Sequence, residues 1–207
     1  GLIVAGRELD RLAHLQPFPP GRGMALFVLL PGTILCILSV RQLVVSGAKR
    51  LAETGPYYVF RHPLELGCQL VAIGAALALT SVGALLAAGP VALLLWGSHA
   101  LAIEEPALRR RFGRLYEDYR QLTGLLVPSP YVASVWAVRA YYRLWLGLQI
   151  RGADEVPRSG PVFLVSLHRS YMDPYIVIFG MPRKVRYIAT AVLFRQPLGA
   201  WYFRRMG

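Results

Sequence analysis

Two long stretches without charged residues constrain the fold of this chain more than any other feature. Residues 24–40 contain no Asp, Glu, Lys or Arg, and residues 66–103 contain none either. A helix needs about 20 apolar residues to cross a bilayer, so the first stretch fits one crossing. The second is too long for one crossing and short for two, which predicts a tight helical hairpin. Its turn would lie at Gly83 or at the nearby Thr80–Ser81, and Gly89–Pro90 would kink the return helix.

Composition agrees with a membrane protein. The chain has 207 residues, of which 55% are hydrophobic and only 16% are charged, a balance unlike that of ordinary soluble domains. We expect Met24 to about Val45 to form one membrane-spanning helix that contains Pro31. These patterns predict a mainly α-helical membrane protein with one span and one helical hairpin.

The formal net charge of +12 is compatible with nucleic-acid binding or with an anionic membrane surface. The basic residues flank the apolar stretches and no nucleic-acid-binding module is recognisable, so we favour the membrane and expect no nucleic-acid partner. The positive-inside tendency assigns both basic clusters to the cytosol and the hairpin turn to the other side. The clusters are Arg41, Lys49, Arg50 and Arg61 after the first span, and Arg109, Arg110, Arg111, Arg114 and Arg120 after the hairpin.

The first residues of the chain are apolar and give way to a polar segment. Residues 1–6 resemble the end of an apolar helix, and the first residue is Gly rather than Met, so we expect a fragment of a longer protein. Residues 7–23 contain three Pro and two Gly and are expected to form a loop. Cys36 and Cys68 lie in or beside the apolar stretches, where small core residues are expected rather than a disulfide or a metal site.

A polar motif precedes the predicted hairpin, and a pair of carboxylates follows it. Pro63 disfavours helical backbone at the preceding residue, so Arg61 and His62 are expected on an extended turn. Glu104 and Glu105 follow the second apolar helix. If the hairpin crosses the membrane and returns, these side chains meet at one membrane surface.

An interfacial belt is the alternative interpretation of this motif. Tyr57, Tyr58 and Phe60 would then lie at headgroup level, with Arg61 facing lipid phosphate. That interpretation does not account for Glu65 or for the carboxylate pair, because charged groups at this depth are costly unless they are paired or functional. We therefore favour a polar site.

Residues 24–130 combine several further features with this motif. They are GPYYVFRHP at 55–63, two apolar helices, the Glu pair, FGRLYEDY at 112–119 and VPSP at 127–130. The combination resembles the integral-membrane methyltransferases, which include the isoprenylcysteine carboxyl methyltransferases and the bacterial phospholipid methyltransferases.

The resemblance implies an S-adenosylmethionine pocket at the cytosolic face. Its residues would be Arg61, His62, Pro63, Glu104 and Glu105. The imidazole would contact the carboxylate end of the cofactor, and the two Glu its ribose or amino group. Such an enzyme aligns methyl group and acceptor and excludes water, and it needs no metal. The acceptor would be a lipid or prenyl-type molecule. The family usually has Tyr two residues after the Pro, whereas this chain has Glu65, which would pair with Arg61 or disturb the pocket.

The C-terminal segment carries a second candidate site. Tyr131 to about Leu148 predicts an amphipathic helix lying on the bilayer, and Pro161–Ser166 predicts a buried strand. The strand leads to His168 and Asp173. In a tight loop the carboxylate would accept a proton from one imidazole nitrogen and leave the other as a general base. Alternatively, Asp173–Pro174 begins a helix, with Asp as its N-cap; the two roles are compatible.

The flanking sequences are IRGADEVPRSGPVFLVSLHRSYMDP at 150–174 and VRYIATAVLFRQPLGAWYFRRMG at 185–207. From about Val138 onward the chain resembles the glycerolipid acyltransferases of the lysophosphatidic acid type. The resemblance implies an α/β domain in which His168 deprotonates a glycerol hydroxyl and Asp173 orients the His. The hydroxyl would attack the thioester of acyl-CoA or acyl carrier protein. Leu167 stands where the family usually has Asn. Later blocks of the family would follow Gly207, so we expect an incomplete α/β domain.

The predicted organisation has three parts: a methyltransferase-like membrane domain at 1–130, an interfacial helix or linker at 131–150, and the beginning of an acyltransferase domain at 151–207. The function we favour is a tandem membrane enzyme of lipid metabolism with both sites on the cytosolic face. One alternative is an acyltransferase whose helical half is only an anchor. The other is a non-catalytic, lipid-binding membrane module. The sequence leaves the oligomeric state open.

Overall fold

The structure is a computed structural model that describes residues 1–17, 21–47, 49–157, 160–181 and 183–206. The chain forms two compact units, Gly1–Asp118 and Tyr119–Gly207. The described residues form helices and loops, without a β-strand. The α-helices are α1 (Leu2–Leu12), α2 (Gly21–Ser46), α3 (Pro56–Val59), α4 (Pro63–Ala78), α5 (Val82–Leu86), α6 (Ala92–His99), α7 (Glu105–Phe112), α8 (Arg114–Leu122), α9 (Pro130–Leu144), α10 (Asp173–Gly180) and α11 (Pro197–Met206).

The first unit contains helices that can cross a membrane. Gly23–Ser46 and the continuous helical run Val82–Phe112 are long and apolar enough, and Pro63–Ala78 is a shorter apolar helix. The predicted span and hairpin are therefore present as one long helix and two antiparallel apolar segments. The mainly helical membrane fold expected from the uncharged stretches is confirmed.

The hairpin turn lies at Thr80–Ser81, one of the two predicted places. Thr80 adopts a left-handed conformation with φ +51°, which is uncommon for a β-branched residue. Ser81 Oγ accepts a hydrogen bond from Ala84 N at 2.9 Å and caps α5. Gly83, the other predicted turn residue, lies in the first turn of α5 instead.

Helix α1 packs on this turn and extends further than the sequence predicted. Residues 7–12 are helical rather than part of a loop. Asp10 accepts hydrogen bonds from Gly83 N at 2.7 Å and from the Ser81 hydroxyl. A Cβ atom added at Gly6 would lie 2.3 Å from Ala84 Cα, so the two backbones meet only because glycine stands there. A tertiary contact of this kind overrides the loop tendency of the sequence.

The return helix is irregular where Gly89–Pro90 was expected to disturb it. A π-helical turn, Ala87–Val91, contains this dipeptide, and a second one, Ala100–Glu104, precedes α7. Gln69, which is buried on α4, donates to the carbonyl oxygens of Ala88 and Gly89. A side chain of the neighbouring helix thus satisfies backbone groups at the irregular turn, as membrane helices require.

Helices α2 and α4 form the closest packed pair of the first unit. A Cβ atom at Gly67 would lie 2.7 Å from Cys36 Sγ, and one at Gly74 would lie 2.6 Å from a Leu29 side-chain carbon. Small residues at such positions let helix backbones approach closely in a membrane. Cys36 and Cys68 are free thiols at this interface, with their sulfur atoms 3.8 Å apart.

The arginine-rich segment is two helices. The spacing of its apolar residues by four, three and four positions predicts a single helix instead; these residues are Leu108, Phe112, Leu115 and Tyr119. Gly113 has φ +52° and ends α7, and α8 begins at the next residue. Its ψ of −124° places it in a region that only glycine adopts without strain, so the helix ends there. Arg109 Nε pairs with Glu117 across the break at 2.9 Å, and both side chains are exposed.

The second unit is built on α9, α10 and α11. Ser129 caps α9, and the helix buries Tyr131, Val132 and Val135. Arg139 Nη2, on the same helix, donates to the carbonyl oxygen of Met181 at 3.1 Å. The amphipathic helix predicted here is present, and its apolar face packs within the unit.

The strand predicted at Pro161–Ser166 is absent. Residues 161–169 have no regular secondary structure, and Phe163 and Val165 are 89% and 95% exposed. A strand is stable only beside a hydrogen-bonding neighbour, and the described part of the second unit offers none. This segment therefore lacks the β-strand that was expected of an α/β domain.

Candidate functional site

The candidate site of the first unit is centred on His62, which is 3% exposed. Its Nδ1 atom lies 3.0 Å from Glu104 Oε2 and 3.9 Å from Glu65 Oε1. Its Nε2 atom lies 3.7 Å from Glu105 Oε1. The imidazole is therefore surrounded by three carboxylates, two of which belong to the predicted pair.

A buried ion pair lies beside the imidazole. Arg61 Nη1 is 2.7 Å from Glu105 Oε1, and the two side chains are 13% and 6% exposed. Such a pair is costly to break because either charge would remain buried without its partner. The segments on either side of the hairpin thus come together as the sequence predicted, with Arg61 and His62 from one side and Glu104 and Glu105 from the other.

Local sequence explains how these groups are positioned. Pro63 is the first residue of α4, so the helix cannot extend backwards, and His62 adopts φ −124°, ψ 62° as its N-cap residue. Glu104 ends the second π-helical turn and Glu105 begins α7. The irregular turn directs two adjacent carboxylates towards one imidazole.

Glu65 faces His62 and Glu104 rather than Arg61. It lies in the first turn of α4, where a carboxylate interacts favourably with the helix dipole. Its ion-pair partner is His62, while Arg61 pairs with Glu105. The ion pair between Glu65 and Arg61, one of the two expected outcomes, is absent among the described residues. Glu65 instead adds a third carboxylate to the site.

The surrounding charges shift the pKa of two groups in and beside this site. Burial lowers the pKa of His62, but its hydrogen bond with Glu104 and the negative charges of Glu65, Glu104 and Glu105 outweigh burial and raise it above the ordinary value. Burial, together with the negative charges of Glu65 and Glu104, also raises the pKa of the Tyr57 hydroxyl. Tyr57 therefore lies close to the carboxylates of the site. The sequence indicated only an aromatic residue at headgroup level and did not predict this proximity.

The residues fit a ligand that carries both signs of charge. In the part of the chain that the structure describes, Arg61 Nε and His62 Nε2 are buried without a hydrogen-bond partner. These donors suit a carboxylate, and the neighbouring Glu side chains suit an ammonium group or a diol. S-adenosylmethionine has all of these groups, so the donor set fits it.

The candidate site of the second unit lies on a loop. Asp173 Oδ2 accepts hydrogen bonds from Arg169 N at 2.6 Å and from Ser170 N at 2.7 Å, and it lies 3.2 Å from His168 Nδ1. Because the carboxylate is an acceptor, Nδ1 carries the proton and Nε2 is left as the basic nitrogen. The hydrogen bond from Ser170 has the largest effect and lowers the pKa of Asp173. Burial acts in the opposite direction, and the hydrogen bonds from Arg169 and His168 lower the pKa further.

The two interpretations of this carboxylate are compatible in the structure. Asp173 is the first residue of α10 and Pro174 is the second. Each lies one position further into the helix than predicted, because Met172 is the N-cap residue. The same oxygen closes the loop and orients the imidazole. Tyr142, which the sequence did not single out, donates from its hydroxyl to the Met172 carbonyl oxygen at 3.4 Å and so links α9 to the loop.

The remaining candidates occupy less specific positions. Leu167 is 80% exposed next to His168, and its aliphatic side chain has no polar atom to form the hydrogen bond that Asn would offer. Tyr116 and Tyr119, which lie at positions that resemble the methyltransferase pattern, are 0% and 5% exposed and have buried side chains. Arg205 lies over the Trp201 ring at 5.8 Å on the last turn of α11.

Comparison with known protein families finds two matches in this chain. Residues 24–115 match the family model described as phospholipid methyltransferase, and residues 147–207 match the one described as acyltransferase. Neither the curated proteins nor the solved structures gave a match to this chain. Both matched families are transferases that modify lipids, and the helices are those of a membrane protein. The chain is therefore similar to phospholipid methyltransferases over residues 24–115 and to acyltransferases over residues 147–207.

Proposed function

We propose that the first unit is an S-adenosylmethionine-dependent methyltransferase and that the second belongs to a glycerolipid O-acyltransferase, so that one membrane protein carries two lipid-modifying activities. The observation that carries the first half is the buried cluster in which Arg61 pairs with Glu105 and His62 with Glu104. Four charged or titratable groups are held next to apolar helices. Such an arrangement is expensive unless it binds something.

Each residue has a role in this proposal. Arg61 and His62 bind the carboxylate of the cofactor, and Pro63 fixes the backbone of the turn. Glu104 and Glu105 bind its amino group or its ribose hydroxyls. The cofactor supplies an electrophilic methyl group, and the surrounding apolar helices exclude water while the acceptor is aligned with it. The methyl acceptor is a lipid or prenyl-type molecule that reaches the site from the bilayer.

In the second unit His168 is the general base and Asp173 its orienting partner. The 3.2 Å contact between them supports this assignment, because the basic nitrogen is left free to take the proton of a glycerol hydroxyl. That hydroxyl attacks the thioester of acyl-CoA or acyl carrier protein, and the thiol leaves. Both cosubstrates are cytosolic, so the proposal assigns both sites to the cytoplasmic face.

Equilibrium binding of labelled S-adenosylmethionine to the detergent-purified chain tests the first half. We expect binding by the parent and its loss in His62→Ala and in Glu104→Ala. Glu117→Ala, which removes an exposed carboxylate paired with Arg109, should bind like the parent. A folded parent that does not bind the cofactor would remove the methyltransferase assignment.

A second candidate function is favoured by one observation. Glu65 brings a third carboxylate to the site, in contact range of His62, where the family usually has Tyr. If this carboxylate prevents cofactor binding, the helical unit is only an anchor for an acyltransferase. Recovery of cofactor binding in Glu65→Tyr, from a parent that lacks it, would identify this case.

A further inference from the structure

Three potential metal ligands converge in the first unit, next to its apolar helices. The side chains of His62, Glu65 and Glu104 each offer one ligand atom, and these atoms all lie within 4.8 Å of one another. The imidazole Nδ1 is 3.0 Å from the nearer oxygen of Glu104 and 3.9 Å from that of Glu65. Ligands of a first-row cation lie about 2.0–2.2 Å from it, which places them roughly 3–3.5 Å from one another. Small side-chain rotations reach this geometry.

The charges around these ligands call for a cation. Arg61 is paired with Glu105, so it does not neutralise the other two carboxylates. Glu65 and Glu104 are hydrogen-bonded to each other and share the single imidazole of His62. A further base, the half-exposed His99, lies 3.8 Å from Glu104. Two adjacent carboxylates at the edge of apolar helices repel each other unless a positive charge lies between them.

The environment of the imidazole independently supports a bound cation. His62 is 3% exposed, and its Nε2 atom has no hydrogen-bond partner among the described residues. That atom points to Glu105 Oε1 at 3.7 Å, and Glu105 is in turn held by Arg61. A metal-bound His commonly directs its other ring nitrogen at a carboxylate in this way, which fixes the ring and its tautomer.

We propose that His62, Glu65 and Glu104 bind one first-row divalent cation, with Zn²⁺ and Mn²⁺ as the best matches to one imidazole and two carboxylates. Glu104 is partly exposed, at 36% of its side chain, which leaves room for a water ligand. The cation takes no part in methyl transfer. It uses the Glu104 carboxylate, which the proposed cofactor site also uses, so cation and cofactor exclude each other.

Zinc titration of the chelator-stripped, detergent-purified chain tests this inference. Binding is measured by competition with a chromophoric chelator, and the two thiols that lie 3.8 Å apart are removed beforehand by Cys36→Ala and Cys68→Ala. In this background we expect one equivalent of Zn²⁺. Glu65→Gln and Glu65→Tyr should each weaken Zn²⁺ binding by on the order of 100-fold or more. Loss of an outer-shell partner alone costs ~10–100-fold, and these substitutions remove a direct ligand. Glu8→Gln, an exposed carboxylate on α1, is the matched control.

Unchanged Zn²⁺ affinity in both Glu65 variants, or no binding by the folded background protein, would overturn the proposal. Binding of S-adenosylmethionine is measured on the same preparations in the presence of chelator. Cofactor binding without Zn²⁺ binding contradicts the metal site alone, whereas Zn²⁺ binding without cofactor binding contradicts the methyltransferase assignment alone. If both bind, added Zn²⁺ should displace the cofactor from the parent and not from Glu65→Tyr; simultaneous binding would contradict the shared ligands.

Discussion

The two candidate sites hold a histidine in opposite ways. His62 is buried at 3% exposure among three carboxylates and next to a buried ion pair, whereas the His168 side chain is 62% exposed and has one carboxylate partner, Asp173. In the first site the charges are part of the folded core, so stability and binding depend on the same contacts. In the second site the loop is held by backbone hydrogen bonds to Asp173, and the imidazole is free to change without affecting the core.

The largest effect on stability is expected at the buried ion pair. Arg61→Met leaves Glu105 buried without its partner and should lower the free energy of unfolding by about 3–5 kcal/mol. Chemical unfolding in mixed micelles measures this change. The control is Arg109→Met, which breaks an exposed pair and should cost no more than about 1 kcal/mol. Equal effects of the two substitutions would show that the first site is not a buried charge cluster.

A smaller effect is expected from the neutral polar contact beside the hairpin. Gln69→Leu removes the donor to the carbonyl oxygens of Ala88 and Gly89 and should cost about 1–3 kcal/mol, because these groups stay buried. The same unfolding experiment measures it. Gln69→Glu is a useful companion, since it keeps the shape but loses the donor at neutral pH; stability equal to that of the parent in both variants would contradict the contact.

The second site should separate activity from stability. His168→Ala should leave the free energy of unfolding within about 0.5 kcal/mol of the parent, because an exposed side chain is removed. In a preparation with measurable acyl transfer, the same substitution should lower the rate by about 10²–10⁴-fold, as expected for a lost general base. Acyl transfer at the parent rate would remove His168 from the mechanism.

The smallest expected effect is a pH response confined to the second loop. The folded-state pKa of Asp173 is lower than its ordinary value of 3.8, so its contribution to the loop is complete above 3.8 and is lost as the pH falls through the lower, folded value. The backbone amide resonances of Arg169 and Ser170 should therefore shift only below pH 3.8, and Asp173→Asn should abolish the shift. A transition above that value would contradict the hydrogen bonds to this carboxylate.

The sequence predicted that Arg61 and His62 meet Glu104 and Glu105, because hairpin topology determines this proximity. Two uncharged stretches with polar ends leave few ways to arrange the chain in a bilayer, so the segments around His62 and Glu104 had to meet. The partner of Glu65 was not predictable, because the first turn of α4 directs its side chain to the imidazole instead of Arg61. The choice between Gly83 and Thr80–Ser81 for the turn also depended on a distant contact from Asp10.

The errors have local physical causes. The apolar spacing of the arginine-rich segment is continuous, but Gly113 adopts a positive φ and divides it into two helices; the glycine itself was the available signal. The segment 161–166 has the composition of a strand, yet a strand also needs a neighbour, and composition does not report one. The sequence predicted that His168 can face Asp173 in a tight loop, since only four residues separate them.

Hydrogen exchange with and without S-adenosylmethionine tests the central claim most directly, because it locates the cofactor as well as detecting it. With saturating cofactor, we expect slower amide exchange in peptides that cover residues 56–66 and 99–106. Peptides that cover residues 161–180 should be unchanged. Protection confined to the second of these regions, or no protection anywhere in a folded protein, would contradict the assignment of the buried His62 cluster as a methyl-donor site.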